Sequence, residues 1–394
     1  MEKHPRLPVA EKVVIKKCAA YELAAVKDAV RSGFDLLGGI DRFVKKGEKV
    51  LIKVNCLFPA EPEKAVTTHP VFLKAVVQLV KEQTGGIIIG DSPGFGNFSG
   101  SNKTGYKQVA LEEGVKLVDF RDDGEVKNPG ALIYKSFKAT DHVNRVDKII
   151  NLPKLKTHGL MYMTLAVKNM FGIIAGTGKP AFHLKAGRDK LLFAQMLVDL
   201  YGSKPPAINI MDGITAMEGN GPGGGDPVNT GVIIMGQNGF AVDNIAPQVV
   251  GLNPDRVYTN AVYRKNNLGG RAIEVEVLGD ALESVRYKGV FKPSPDADEA
   301  GEKMNRGLMF GFLKRYLKDE ITPKQIYLKE KCTGCLSCVK ACPVDALVYD
   351  NKKKRIICDY EKCIRCFICQ EICPEKAIVI REPWLAKLMN LFMN

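Results

Sequence analysis

Cys332-Thr-Gly-Cys335-Leu-Ser-Cys338-Val-Lys-Ala-Cys342-Pro343 and Cys363-Ile-Arg-Cys366-Phe-Ile-Cys369-Gln-Glu-Ile-Cys373-Pro374 are one pattern, C-x2-C-x2-C-x3-C-P, written twice at a period of 31 residues. The flanking sequence repeats as well, Val344-Asp-Ala-Leu-Val-Tyr349 against Glu375-Lys-Ala-Ile-Val-Ile380. A short loop wound around a cubic cluster supplies three thiolates at i, i+3 and i+6, while its fourth cysteine points away and reaches a second cluster. The spacing therefore assigns one [4Fe–4S] cluster to Cys332, Cys335, Cys338 and Cys373, and the other to Cys363, Cys366, Cys369 and Cys342. Cys358 is left over. Disulfides need an oxidising compartment, and four-cysteine zinc sites use two CxxC knuckles set further apart; neither suits two proline-closed runs of four.

This segment resembles the bacterial two-cluster ferredoxin module over roughly residues 326–381, with no departure in the ligands. The resemblance implies electron transfer, and with it a redox partner protein as donor or acceptor. The module carries 12 Lys and Arg against 8 Asp and Glu between Ile321 and Glu382, an excess that two dianionic clusters with their thiolates bring to about neutral. Its potential depends on charge and N–H groups near the sulfurs, which raise it, and on burial, which lowers it.

The remaining sequence bounds the class. A chain of 394 residues has room for more than one hydrophobic core. No apolar run approaches the roughly 20 residues that span a bilayer, and the first residues lack the apolar stretch of a secretory signal, so the expected location is the cytoplasm. The net charge of +13 and pI near 9.1 raise the question of nucleic acid, but the lysines are scattered and no nucleic-acid module is present. The one dense run, Lys352-Lys353-Lys354-Arg355, reads as a solvated turn in preference to a docking patch.

Residues 1–290 alternate β-branched runs with turns and amphipathic stretches, the pattern of an α/β domain with a mostly parallel sheet flanked by helices. Strand runs are Val13–Ile15, Val50–Val54, Ile87–Ile89, Lys148–Ile150, Ile208–Met211 and Val232–Met235; helical stretches are Tyr21–Gly33, Pro70–Gln83, Lys107–Glu113, Thr164–Phe171 and Lys190–Leu200. Residues 291–325 read as a linker and a helix (Met304–Leu317), 326–382 as a small α+β ferredoxin-like domain, and 383–394 as an amphipathic tail that packs on its own domain.

In open parallel sheets, ligands collect beyond the carboxyl ends of the strands. The polar residues closing successive strands then form one set: Lys53 and Asn55, Asp91 and Ser92, Asn151, Lys154, Lys156, Thr157 and His158, and Asp212. Each is also acceptable turn chemistry. Three glycine-rich segments follow such strands or helices: Gly94–Gly100, Gly172–Gly178 after Lys168 and Asn169, and Gly219–Gly225 after Glu218. The first sits where a phosphate loop would but is not G-x-G-x-x-G; the last is expected to approach a ligand closely or to act as a lid. Motifs for zinc peptidases, serine hydrolases and P-loop NTPases do not occur.

Lys154-Leu-Lys-Thr-His158, Leu165-Ala-Val-Lys-Asn-Met-Phe-Gly172, Asp212-Gly-Ile, Glu218-Gly-Asn-Gly-Pro and Asp243 ahead of Gly251-Leu-Asn-Pro254 resemble the Domain of Unknown Function 362 family. The resemblance covers most of residues 10–290. It implies an iron–sulfur protein of the prokaryotic cytoplasm and brings no settled reaction.

Two functions are expected from different classes. In the first, electrons enter through the clusters and reduce a small anionic organic substrate in the large domain. Lys156, His158 and Asp212 are then the catalytic candidates, and Lys53, Asn55, Asp91, Ser92, Lys154, Lys168, Asn169 and Glu218 the substrate-binding ones. In the second, the chain is a non-catalytic electron carrier or cluster-supplying partner whose large domain recognises a protein or small effector. A flavin between clusters and substrate is left open, and no motif calls for one. His69, after Thr67 and Thr68, reads equally as a proton donor or a helix cap.

Overall fold

The β-branched runs become strands and the amphipathic runs helices in a computed structural model that describes residues 10–294 and 324–381, apart from residues 95, 123, 176, 177, 188 and 268. The large domain contains β1 (Glu11–Lys17), β2 (Val50–Lys53), β3 (Ile87–Asp91), β4 (Lys116–Asp119), the hairpin β5 (Gly124–Lys127) and β6 (Ser136–Ala139), β7 (Lys148–Asn151), β8 (Lys154–His158), β9 (Tyr162–Thr164), β10 (Ile208–Glu218), β11 (Asp226–Gly236) and β12 (Val275–Gly279). All but β5 and β6 form one sheet, ordered β12-β1-β11-β10-β7-β2-β3-β4 with β8 and β9 attached through β10. Pairing is parallel except for β1 with β11, β10 with β11 and β8 with β9, so the sheet is mostly parallel.

Helices cover both faces: α1 (Leu23–Leu36), α2 (Pro70–Lys81), α3 (Tyr106–Glu113), α4 (Ala166–Asn169), α5 (Gly178–Ala186), α6 (Lys190–Ser203), α7 (Gly239–Val249), α8 (Tyr258–Asn267) and α9 (Leu282–Val285). Side chains alternate along the central strands. Val50, Ile52, Ile89 and Ile150 face a core filled by Phe34, Phe72 and Val76 of α1 and α2, whereas Leu51 and Ile149 face Phe193 and Leu197 of α6. Burial on both sides explains why these runs read as uninterrupted apolar segments.

The segment Thr164–Phe171 differs from the expected single helix. Thr164 ends a strand, the helix is only α4, and a 3-10 turn continues it over Met170–Ile173. The cause is local: the Asp243 carboxylate on α7 accepts Ala166 N–H at 2.6 Å and Val167 N–H at 3.0 Å, fixing where the helix begins. Lys154–His158, expected as the polar loop after a strand, is itself the fully buried strand β8.

In the small domain β13 (Lys324–Tyr327) pairs with β16 (Ile378–Arg381) and β14 (Leu347–Asp350) with β15 (Arg355–Cys358), around α10 (Ser337–Lys340) and α11 (Ile368–Glu371). The 31-residue repeat persists in the backbone. Gly334 and Arg365, Leu336 and Phe367, and Asp345 and Lys376 are equivalent pairs, and all six residues have positive φ. Lys352–Arg355 forms the exposed β14–β15 turn, capped by Asp350, whose Oδ1 accepts the Lys352 and Lys353 amides. The expected helix Met304–Leu317 and the tail 383–394 lie outside the described residues. Among the described residues no helix is long and apolar enough to cross a membrane.

Candidate functional site

The parallel register aligns the strand ends. Lys53 stands between Gly90 and Asn151, so β2, β3 and β7 release their polar residues at one edge. There the fully buried Lys53 Nζ pairs with Asp91 Oδ1 at 2.9 Å, and Asp91 Oδ2 accepts Cys56 N–H at 2.7 Å. Gly172 passes directly over this ion pair; a Cβ at that position would collide with both charged groups. An amide chain braces the same edge, with Asn55 donating to Asn169, Asn169 to Asn151 and Asn151 to Asn209, at 2.7–2.8 Å each.

These residues open into a cavity of about 130 Å³ lined by Lys53, Asn55, Asp91, Ser92, Lys156, His158, Lys168 and Asn169, and closed by Ala341, Ile368, Glu371 and Ile372 of the small domain. Eight of the eleven residues expected from the sequence at a catalytic or substrate site therefore share one space. Lys179 and His183 of α5 also line it; the glycine-flanked Gly178-Lys179 after Lys168 was the available signal for the first, and nothing in the sequence marked the second. Glu371 lies between two cluster cysteines and was hidden by them.

The cavity is electrostatically unusual. Lys53, Lys156, Lys168 and Lys179 face only Asp91 and Glu371 as lining carboxylates. Burial pushes all four lysines down, Lys156 to about 7, with the Lys168 charge adding to the effect, and Lys179 to about 8. Lys156 Nζ donates to the Val66 carbonyl at 2.6 Å, Lys179 to the Ser92 carbonyl, and Lys168 Nζ stands 5.9 Å from the centre of the Phe171 ring. Burial also holds His158 well below the ordinary histidine range and His183 at about 3. His158 Nδ1 accepts Leu160 and Met161 N–H, which directs Nε2 to within 3.2 Å of Glu371 Oε1. Three further buried side-chain atoms of the lining, Asn55 Oδ1, Thr164 Oγ1 and His183 Nδ1, have no hydrogen-bond partner. Buried polar atoms left unpaired each cost about 1–3 kcal/mol, so their convergence on one space calls for a polar ligand.

Gly219–Gly225, expected to cover a ligand or act as a lid, contributes Pro222 to the cavity wall and also holds the small domain. Gln370 Nε2 donates to Asn220 Oδ1 at 3.1 Å and to the Asn220 and Gly221 carbonyls. Asn220 Nδ2 donates to the Ile378 carbonyl, and Lys376 Nζ to the Gly225 carbonyl at 2.6 Å. Gly223 lies so close to the Glu371 carbonyl and the Phe58 ring that a side chain there would overlap both.

Three expected site residues stand elsewhere. Asp212 and Lys154 form a buried ion pair at 2.8 Å, with Tyr21 O–H donating to Asp212 at 2.7 Å, and neither lines the cavity. Glu218 accepts Lys292 N–H and pairs with Lys292 Nζ at 3.4 Å. These strand-end polar residues hold the sheet to α1 and to the chain leaving the domain. His69 caps α2, its Nδ1 accepting Val71 N–H at 3.2 Å while its ring stacks on Tyr21.

One of the two cysteine sets expected from the spacing shares a single space. Cys332, Cys335, Cys338 and Cys373 line a common small cavity; the Cys338 thiol is pushed up to about 12, first by burial and then by Cys373, Cys335 and Cys332. Cys366 is likewise pushed up to about 12 by burial and by Glu371, Cys363 and Cys342. Mutual repulsion of this kind disappears when thiolates bind a cationic core. Backbone N–H groups already point at sulfurs in repeat-related positions, Ala346 at Cys342 and Ala377 at Cys373. Cys358 hydrogen-bonds to Cys363, outside both sets.

Comparison with known proteins agrees with this division. The family described as a domain of unknown function (DUF362) matches residues 50–248, and a 4Fe-4S dicluster domain matches residues 324–374. A thylakoid-associated protein of Synechocystis sp. is 33% identical over 268 residues, 68% of this chain and 83% of that protein. A solved Thermotoga maritima protein aligns at 12% identity with a TM-score of 0.34, over 51% of this chain and about half, 52%, of that one.

Proposed function

The chain belongs to the DUF362 family and carries a two-cluster [4Fe–4S] electron-transfer domain with the redox partner that such a domain implies; on that premise we propose that it is a ferredoxin-coupled oxidoreductase reducing a small anionic organic substrate in the cavity between its domains. One observation carries this reading: four lysines and three unpartnered polar atoms converge on a space walled in part by the loop bearing Cys366, Cys369 and Cys373. When bound, the clusters supply single electrons. Lys53, Lys156, Lys168 and Lys179 hold the anion as point charges. Glu371, whose carboxyl is held up near 7 by burial and which stands 3.2 Å from the neutral His158 ring, is placed to pass a proton to the substrate, and Ile368 and Ile372 keep bulk water out. Iron–sulfur ligation by cysteine thiolates supports a reducing, cytoplasmic setting.

The test is reoxidation of the anaerobically reduced, full-length protein by a panel of 2-oxo acids, enoates and phosphate esters of carbonyl compounds, followed by cluster absorbance. At least one panel member is expected to reoxidise the wild type at least about tenfold faster than Lys168→Met, with cluster content equal in both. A protein that no panel member reoxidises, yet which still exchanges electrons with a protein carrier, is the non-catalytic carrier, and the enzyme reading falls.

A further inference from the structure

The two ends of the small domain are unequal in a way the proposed reaction does not use. In the set Cys363, Cys366, Cys369 and Cys342 the first three are buried and Cys342 half-buried, and the surrounding Arg365, Phe367, Ile368 and Gln370 are 1–7% exposed. This end faces the large domain and its cavity. In the other set Cys335 is exposed and Cys332 half-buried, and among the described residues nothing covers the loop around them. The β14–β15 hairpin leans on that open loop: Ile356 lines the cavity formed by Cys332, Cys335, Cys338 and Cys373, and Gly334 sits against the Tyr349 hydroxyl. The exposed tip of the same hairpin is Lys352-Lys353-Lys354-Arg355, and Lys329, Lys331 and Lys340 are exposed on the flanking segments. Glu330, Asp345, Asp359, Glu361 and Glu375 are the exposed carboxylates nearby in sequence and Asp350 is half-buried, so the seven exposed Lys and Arg still outnumber them.

We propose that the open loop of Cys332 and Cys335, with the basic β14–β15 tip beside it, is the docking face for an acidic one-electron carrier protein. The face therefore assigns a direction: one electron leaves the partner's reduced centre, which is oxidised, and arrives at the cluster of Cys332, Cys335, Cys338 and Cys373. It continues to the sealed cluster beside the cavity; no bond forms and no proton is needed at the entry step. The tip is a docking element more than a solvated turn, because a basic rim around a redox centre steers an acidic partner into the orientation that brings the two centres close. Entry at the other end would require the Asn220–Gln370 and Gly225–Lys376 contacts to break.

The inference rests on the electron-transfer reading but not on the cavity's substrate, because its readout is cluster reduction. Stopped-flow reduction of the full-length, cluster-loaded protein is measured with two donors, a reduced acidic [2Fe–2S] ferredoxin and the methyl viologen radical cation. The triple substitution Lys352→Glu, Lys353→Glu, Lys354→Glu is expected to slow reduction by the ferredoxin about tenfold and flatten its salt dependence, leaving methyl viologen at least as fast. An unchanged ferredoxin rate overturns the proposal, as does a loss shared by both donors, which would place the effect in the module itself. Wild-type binding to phosphatidylglycerol vesicles that the triple substitution abolishes, with no change in the ferredoxin rate, would make the tip a membrane contact and overturn it equally.

Discussion

Lys156 and Lys168 are placed by strand and helix geometry in a space with too few carboxylates to neutralise them, and their chemistry follows from that imbalance. A lysine pushed down to about 7 by burial is partly uncharged at neutral pH, and an anion bound against it restores its charge. Binding therefore takes up protons, and affinity is strongest at low pH. As pH rises past about 7 Lys156 must be recharged to bind, and past about 8 Lys179 must be as well. Asp91 is already paired with Lys53, His158 and His183 stay neutral, and Glu371, held up near 7, ionises over the same interval and opposes the anion in the same direction. With oxalate as probe, whose own charge is constant here, calorimetry should show the dissociation constant rising up to about tenfold per pH unit between 7 and 8 and more steeply above. Lys156→Met should bind more weakly at pH 6.5 and lose the first of these two steps. A dissociation constant that is flat from pH 6.5 to 9 would mean that these lysines do not meet the anion.

At the scale of elements, the sequence was most legible where a period was strict. The 31-residue cysteine repeat goes with matching positive-φ positions, helices and strands, because a loop around a cube leaves the backbone little choice. The doubly buried strands β2, β3 and β7 were legible for a similar reason, and with them the polar residues at their carboxyl ends. Lys154, Asp212 and Glu218 show where that rule stops: a strand end says that a polar residue emerges, not what it meets, and these three meet Tyr21, each other and Lys292. Lys179, His183 and Glu371 were out of reach because helix packing and domain docking bring them in from segments with no strand end at all. The crossed grouping expected from the spacing belongs to this scale too, since Cys373 follows the second α-turn yet lines one cavity with Cys332, Cys335 and Cys338. Serine substitutions should accordingly fall into two classes by EPR of the reduced protein. Cys335→Ser and Cys373→Ser should alter one signal, and Cys366→Ser and Cys342→Ser the other, each with loss of up to about half the iron. Grouping by order along the chain, Cys335 with Cys342 and Cys366 with Cys373, would refute the crossing.

For the whole molecule, the small domain is a wall of the cavity and, on the proposed reaction, its electron source, so the cavity exists only while the two domains stay seated. Their seating depends on polar contacts from Asn220, Gln370 and Lys376 and on a backbone approach that only glycine permits at position 223. Domain contacts of this polar kind open more readily than a hydrophobic core, which makes position 223 a lever on assembly that touches no cysteine. Gly223→Val forces a branched side chain against the Glu371 carbonyl and Phe58. Both clusters should persist, because their ligands lie wholly within the small domain, while amide hydrogen exchange rises in the 219–225 and 368–372 segments and oxalate affinity falls by at least about tenfold as the wall withdraws. Retained clusters with unchanged exchange and unchanged affinity would mean that the cavity does not need its second domain, and the direct route from the sealed cluster to the substrate would lose its structural basis. Clusters lost together with the seating would show instead that the large domain holds the module in its folded form, making the interface a folding requirement before it is a catalytic one.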